Sequence, residues 1–219
     1  MKSAYYCNRS HLTPYFLHFF VTSSPSWMKQ KTSALALVRL LIKIEQRILR
    51  LEMEIEYQST EGAHAPIIQA LQALRGVALI TATSLAAEIG SFKRFPTAKK
   101  FMAYVGLIPS EYSSGERRYQ GRITKTGNRH VRRLLIESAW SYRYQPAIKG
   151  QLKKRLDGLP PTIQSISWKA QNRLHKRYYR LLSRGKEGGK AITAVARELA
   201  GFIWAIAQES IEPSKGIRN

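Results

Sequence analysis

Seven apolar residues, Leu37, Leu40, Leu41, Ile44, Ile48, Leu51 and Ile55, recur at intervals of three and four along one stretch of this chain. A helix of 3.6 residues per turn gathers such residues into a single stripe. Glu45, Arg47, Arg50, Glu52, Glu54 and Glu56 supply a charged side. Sustained over three heptads, the pattern predicts a coiled-coil-like helical arm over 33–58. Its stripe either meets another copy of the chain or packs on the chain's own later helices.

Helical periods continue after the arm, so the fold class expected is mainly α. Residues 59–66, STEGAHAP, read as a linker, and 67–208 as a helical domain. Within it, IIQALQALRGVALITATSLAAEIG predicts a short helix, a tight turn at Gly76-Val77 and an apolar helix from about Ile80 to Ile89. This resembles a helix-hairpin-helix, a module that sets glycine-turn amides against a nucleic-acid backbone without reading bases. Ala78 stands where a second glycine is usual, so the hairpin is either a contact or a packing element. A short helix follows Pro96-Thr97, with Gly106 just past its end. Long helices are expected over 162–183, closed by Gly185, and over 190–208, joined by a flexible Lys186-Glu187-Gly188-Gly189 connector. Residues 1–32 are aromatic-rich and aperiodic, a poorly ordered or remnant segment, and 209–219 form a frayed tail. The apolar run Tyr15–Val21 is interrupted by His18 and lacks a convincing cleavage site for a signal peptide.

Charge narrows the partners. Thirty-six Lys and Arg against fourteen Asp and Glu give a net charge of +22 and a pI near 10.4, the footprint of a polyanion binder, with nucleic acid the default. No stretch reaches about 18 consecutive apolar residues, so no membrane partner is expected. The single cysteine, Cys7, excludes an internal disulfide and a cysteine-based zinc cluster, and fits a reducing compartment.

The charge peaks in one run. Between Arg117 and Arg133 stand Arg117, Arg118, Arg122, Lys125, Arg129, Arg132 and Arg133, with no acid among them. Arginine forks suit phosphate oxygens. Strand-like alternation over about 117–124 predicts a short basic ribbon or loop, and Ser113-Ser114-Gly115 an exposed turn beside it. Gly127-Asn128 predicts a turn and helix N-cap. The helix beyond puts Val131, Leu134, Leu135, Ser138 and Tyr142 on one side and Arg129, Arg132 and Arg133 on the other. Arginines in a first helical turn oppose the macrodipole, so an anion there would account for them. The 162–183 helix carries a second basic stripe, Lys169, Arg173, Lys176, Arg177, Arg180 and Arg184, opposite Ala170, Leu174, Tyr178, Leu181 and Leu182. Together the two basic helices predict a groove beside the serine turn.

The acids exclude as much as the bases imply. Asp157 is the only aspartate and thirteen glutamates are scattered, so the converging carboxylates of a two-metal nuclease are not expected from this chain. The five histidines, His11, His18, His64, His130 and His175, show no paired metal spacing. Ser114 lacks a G-x-S-x-G setting, which argues against a serine hydrolase.

Three motifs occur in order: L-R-G-V-x-x-I-T-A-x-x-L-A-x-E-I-G from Leu74, F-x-x-A-K-x-x-x-A-Y-x-G-L-x-P from Phe95, and S-G-x-x-R-x-x-G-x-I-T-K-x-G-N-x-x-x-R-R-L-L-x-E-x-A from Ser114. The combination resembles the insertion-sequence transposases of family one-ten, the IS110/IS116/IS902 type, over roughly Ser33 to Gln208. Those proteins join a RuvC-like nuclease domain with a DEDD carboxylate set, through a helical arm, to a transposase domain bearing a serine nucleophile. The resemblance implies that Ser114 attacks a DNA phosphate to form a covalent phosphoserine. It also implies that a structured guide RNA is bound beside DNA, in the cytoplasm at the nucleoid. Ser113 is one residue away, and only the Ser-Gly match chooses between them. Nothing in 1–32 resembles the nuclease domain, so a carboxy-terminal, truncated form is expected, with no cofactor of its own. Mg²⁺ is expected only with the missing domain, and no turnover by this chain alone. The arm would pair with another copy or with an intact transposase. The alternative is a non-catalytic nucleic-acid-binding or transposase-assembly fragment.

Overall fold

The computed structural model describes residues 28–114 and 117–211, with side chains described outside 28–33 and 112–120. The expectations for residues 1–27, for Gly115 in the serine turn and for the tail beyond Ile211 lie outside those described residues. The chain divides into two compact units, 1–51 and 52–219. It is mainly helical, with one two-stranded sheet among the described residues.

Helix α1 runs Met28–Glu61, longer at both ends than its apolar stripe. No glycine or proline interrupts it, and Gly62 follows its last turn. There the hydroxyls of Ser59 and Thr60 donate back to the Glu56 carbonyl. Leu37, Leu41, Ile44 and Leu51 of the stripe remain 46–59% exposed.

The second unit is built around its last helix, and the chain's earlier helices are laid on it in turn. Helices α2 (Ala65–Leu71) and α3 (Leu79–Ile89) come first and pack on each other. After a 3₁₀ turn at Phe92–Arg94 come α4 (Ala98–Tyr104), β1 (Pro109–Ser114), β2 (Arg117–Ile123) and α5 (Arg129–Ala139). A 3₁₀ turn at Trp140–Arg143 leads to α6 (Gln151–Leu156), α7 (Pro161–Ser183) and α8 (Gly188–Ile211).

Helix α8 packs against α2, α4, α5 and α7. Ala191, Ala196, Ala200 and Ala207 alternate with Ile192, Val195, Leu199, Ile203 and Ile206, all fully buried. Small residues let neighbouring backbones close in, while each large one contributes about 1.5–3 kcal/mol by leaving water. An 18-residue window of α8 has mean hydropathy 1.2 and is half buried, as suits the central helix of a bundle. Its end is tied down by side chains: Trp204 Nε1 donates to the Phe95 carbonyl at 2.9 Å, and Gln208 Nε2 to that of Phe92 at 3.3 Å.

The hairpin turn is a packed structure. Leu71, Ala73, Leu74 and Val77 are fully buried. Ser167 Oγ donates to the Ala73 carbonyl and Arg155 Nη1 to that of Val77, each at 2.6 Å. Gly76, at φ +83°, has a conformation that side chains disfavour, and a Cβ there would strike Ser138 and Ser141.

Three local expectations differ from the structure, the first at 59–66, where Ser59–Glu61 complete α1 and Ala65-Pro66 open α2 in place of a linker. Ser113 and Ser114, expected in an exposed turn, are the last residues of β1, because pairing with β2 continues to Ser114. Gly188 and Gly189, expected in a flexible connector, form the first turn of α8. The packing of Ala191 and Ile192 one turn later draws them into the helix against glycine's low propensity.

Candidate nucleic-acid interface

Strands β1 and β2 pair antiparallel, with Ser114 opposite Arg117, Ser113 opposite Arg118, Tyr112 opposite Tyr119 and Glu111 opposite Gln120. Direct partners in such a ladder stand about 4.5–5.5 Å apart at Cα. The backbone therefore sets Ser114 and Arg117 side by side where the ribbon closes. Their side chains, with those of Ser113 and Arg118, lie outside the described ones.

At its other end the ribbon is tied to the α4–β1 connection. Thr124 N–H donates to the Ile108 carbonyl at 2.9 Å, and Lys125 N–H to that of Gly106 at 3.1 Å. Lys125 holds φ +57°, the left-handed region, at a cost of roughly 1–2 kcal/mol for a residue with a Cβ. Its side chain is exposed. Two residues on, Gly127 at φ +76° lies so close to α4 that a Cβ would meet the Tyr104 carbonyl. This approach explains the glycine before the cap. Asn128 then caps α5, its Oδ1 accepting from Val131 N–H at 3.0 Å.

The cation run resolves into different environments. Arg122, Lys125 and Arg129 are exposed, and none of the three is in an ion pair among the described residues. Arg132 is instead a clamp: its Nη1 donates to the Val105 carbonyl at 2.9 Å and to the Thr126 carbonyl at 3.2 Å. Arg133 Nε pairs with Glu137 Oε1 at 2.8 Å along the helix surface.

An anion already stands at the start of α5. Glu88, from α3, accepts from Asn128 Nδ2 at 2.7 Å and meets His130 Nδ1 at 2.8 Å. The hydrogen bonds from His130 and, next, from Asn128 hold the Glu88 carboxyl below the ordinary carboxylate range. Sequence reasoning placed Glu88 in a motif without finding its partners, because they lie 40 and 42 residues away.

The second basic stripe rides on the same core helix, since α5 and α7 both pack against α8. Lys169, Arg173, Lys176 and Arg180 are exposed and Arg177 is half-buried. Glu198 of α8, only 18% exposed, takes Arg173 Nε at 3.0 Å and Arg177 Nε at 3.2 Å. The second contact is one of charge, since Arg177 Nε lacks an aligned hydrogen bond. Glu198 is a further residue that sequence reasoning missed. Among the described residues no group of three His, Cys, Asp or Glu could hold a metal ion.

Residues 68–153, from α2 to α6, match the family model described as "Transposase IS116/IS110/IS902 family". The chain resembles the transposases of that family. The match covers the hairpin, the ribbon and α5 together. Over 146 residues the chain is 49% identical to y4qE of Sinorhizobium fredii, a transposase by name, covering 67% of this chain and 37% of that protein. It is 38% identical over 96 residues to a family 20 transposase by name from Pseudomonas aeruginosa, 44% of this chain and 28% of the other. It is 33% identical over 113 residues to the transposase for insertion sequence element IS1328 of Yersinia enterocolitica, 48% of this chain and 33% of the other. The chain thus spans about a third of the length of these transposases.

Proposed function

We propose that this chain supplies the nucleophile-bearing, phosphate-holding part of a transposase that recombines insertion-sequence DNA. The observation carrying the reading is the register that makes Ser114 and Arg117 neighbours at the closing end of an arginine-rich ribbon. In the step proposed, the Ser114 oxygen forms a bond to a DNA phosphorus as the bond to a deoxyribose oxygen breaks. The serine proton passes to a base and the departing oxygen takes one up. One phosphoester replaces another, so bond energy is retained for rejoining. A serine hydroxyl is a weak nucleophile, and cations help by stabilising charge that builds on the phosphoryl oxygens. Arg117, Arg118, Arg122 and Arg129 are the residues proposed for that work. Lys125, Lys169 and Arg180 hold more distant phosphates.

Two partners accompany the DNA in this reading. A structured guide RNA is the second polyanion, supported by a net charge of +22. Another copy of the chain, or a full-length transposase, covers the exposed stripe of α1.

The test is a denaturation-resistant adduct between the purified chain and labelled element-junction DNA, assayed with guide RNA and with or without added full-length transposase. Loss of the adduct to this chain in Ser114→Ala, with retention in Ser113→Ala, is the expected result. An adduct that survives Ser114→Ala overturns the assignment. Absence of any adduct under all these conditions favours the non-catalytic nucleic-acid-binding reading.

A further inference from the structure

A second surface combines rings and cations at the opposite end of α5. The 3₁₀ turn Trp140–Arg143 follows the helix, and 11 residues of α5 separate it from Asn128 by about 16 Å of rise. The Arg143 guanidinium lies 5.9 Å from the Trp140 ring centroid and 4.7 Å from that of Tyr144. Trp140 is 39% exposed, Tyr144 55% and Tyr179 51%, far more than a core role for large rings requires. Neither Arg75 nor Arg143 is in an ion pair among the described residues.

The backbone beneath these groups is fixed by side chains from distant segments. Arg75 Nη1 donates to the Gln145 carbonyl at 2.7 Å, and its guanidinium lies 5.9 Å from the Tyr144 ring. Tyr179 OH donates to the Arg143 carbonyl at 3.1 Å, while His175 Nδ1 sits 3.2 Å from that of Tyr142. A platform held in this way loses little freedom when a ligand lands on it.

We infer that Trp140, Arg143, Tyr144 and Tyr179 form a stacking platform for an unpaired DNA strand. Flat rings and guanidinium planes accept bases of any sequence, and the cations answer the phosphates. A duplex keeps its base faces inside its own stack, so only unpaired nucleotides can use the rings. Within the platform Arg143 Nη2 donates to the Tyr144 hydroxyl at 2.6 Å, and Tyr179 donates to backbone. The strand committed to is DNA, as the proposed recombination supplies. This choice of strand rests on the proposed function, whereas the stacking does not involve Ser114.

The test is fluorescence anisotropy of the full chain with labelled 20-nucleotide oligo(dT) and with a 20-base-pair duplex. Trp140→Ala and Tyr144→Ala should each weaken oligo(dT) about tenfold and leave the duplex within about twofold, as loss of one stacked base predicts. Neither removes a charge, so the dependence of affinity on salt should keep its slope. Arg143→Lys should lower oligo(dT) affinity with the slope likewise kept. A thermal unfolding midpoint checks each variant. For any that unfolds, ultraviolet cross-linking of wild-type protein to oligo(dT) containing 5-iododeoxyuridine should label the peptide with Trp140 and Tyr144. Equal losses on duplex and single strand, unchanged oligo(dT) affinity, or cross-links confined to other peptides overturn the platform. Oligo(U) RNA bound more than tenfold tighter than oligo(dT) overturns the assignment to DNA. Ser114→Ala should leave oligo(dT) affinity unchanged, so failure of the nucleophile reading and failure of the platform remain distinguishable.

Discussion

Glu88 and His130 join two helices at the start of α5: one carboxylate oxygen meets His130 Nδ1 at 2.8 Å, while the other accepts from Asn128 Nδ2 at 2.7 Å. The first turn of α5 has no acid of its own and begins with Arg129. Glu88 supplies a negative charge there from α3, and it does so through space. Part of the anion that the arginines ask for is thus intramolecular.

The pair sets a pH dependence. Its hydrogen bonds hold the folded Glu88 carboxyl below the ordinary value of 4.5. The carboxylate therefore stabilises the fold fully above about pH 4.5, and that contribution fades as pH falls through the lower folded value. Glu88→Gln should lower the unfolding midpoint at pH 7, with the gap to wild type closing in acid. A gap that stays constant from pH 7 to pH 3 would falsify the linkage.

Arg132 and Arg129 are three residues apart and should behave in opposite ways. Arg132→Ala leaves the Val105 and Thr126 carbonyls without their donor, which should cost about 1–3 kcal/mol of stability. Arg129, exposed beside the cap, should matter little to stability. Its replacement by Ala should reduce the salt slope of DNA binding by about 0.9 if it neutralises one phosphate. Calorimetry and a salt titration on both variants decide the matter, and matching behaviour in the two would contradict the division.

What the sequence made legible was local. The α1 stripe, the Asn128 cap and the strand Arg117–Ile123 each depend on residues within a few positions of one another. Hidden were the partners drawn together by the fold: Glu88 with His130, Arg75 with the Gln145 carbonyl, and Glu198 with Arg173 and Arg177. Each pair bridges elements that meet only through tertiary packing. A run of arginines shows its charge in sequence, but which members are clamps and which are free is decided by carbonyls and carboxylates from other helices. The glycines at 188 and 189 illustrate the same point for backbone, since propensity opposed a helix there and packing prevailed.

Glu198 offers a test of the α7 stripe. It pairs with Arg173 and Arg177 together from a largely buried position. Glu198→Gln should raise the charge of this site by one, strengthening DNA binding and steepening the salt slope by about 0.9, for one phosphate gained. The same change should lower the unfolding midpoint, because Arg177 is half-buried. Affinity that stays level while stability falls would remove α7 from the interface.

The arm carries the remaining prediction. Leu37, Leu41, Ile44 and Leu51 are 46–59% exposed, and Ile48 and Ile55 continue their stripe. Ile48 and Ile55 alternate with Leu51 at heptad spacing, the arrangement that in a parallel pair favours two strands. A helix that leaves so many branched side chains in water gains by covering them, at about 25 cal/mol for each Å² of apolar surface removed. The purified chain should therefore run in light scattering at twice its 25.0 kDa mass. Ile44→Asp with Leu51→Asp should bring it to the single-chain mass while leaving the folded core of 65–211 intact by circular dichroism. A wild-type chain that is monomeric at micromolar concentration would instead make the stripe a docking face for a different transposase chain, which mixing with full-length protein would detect as a shared peak.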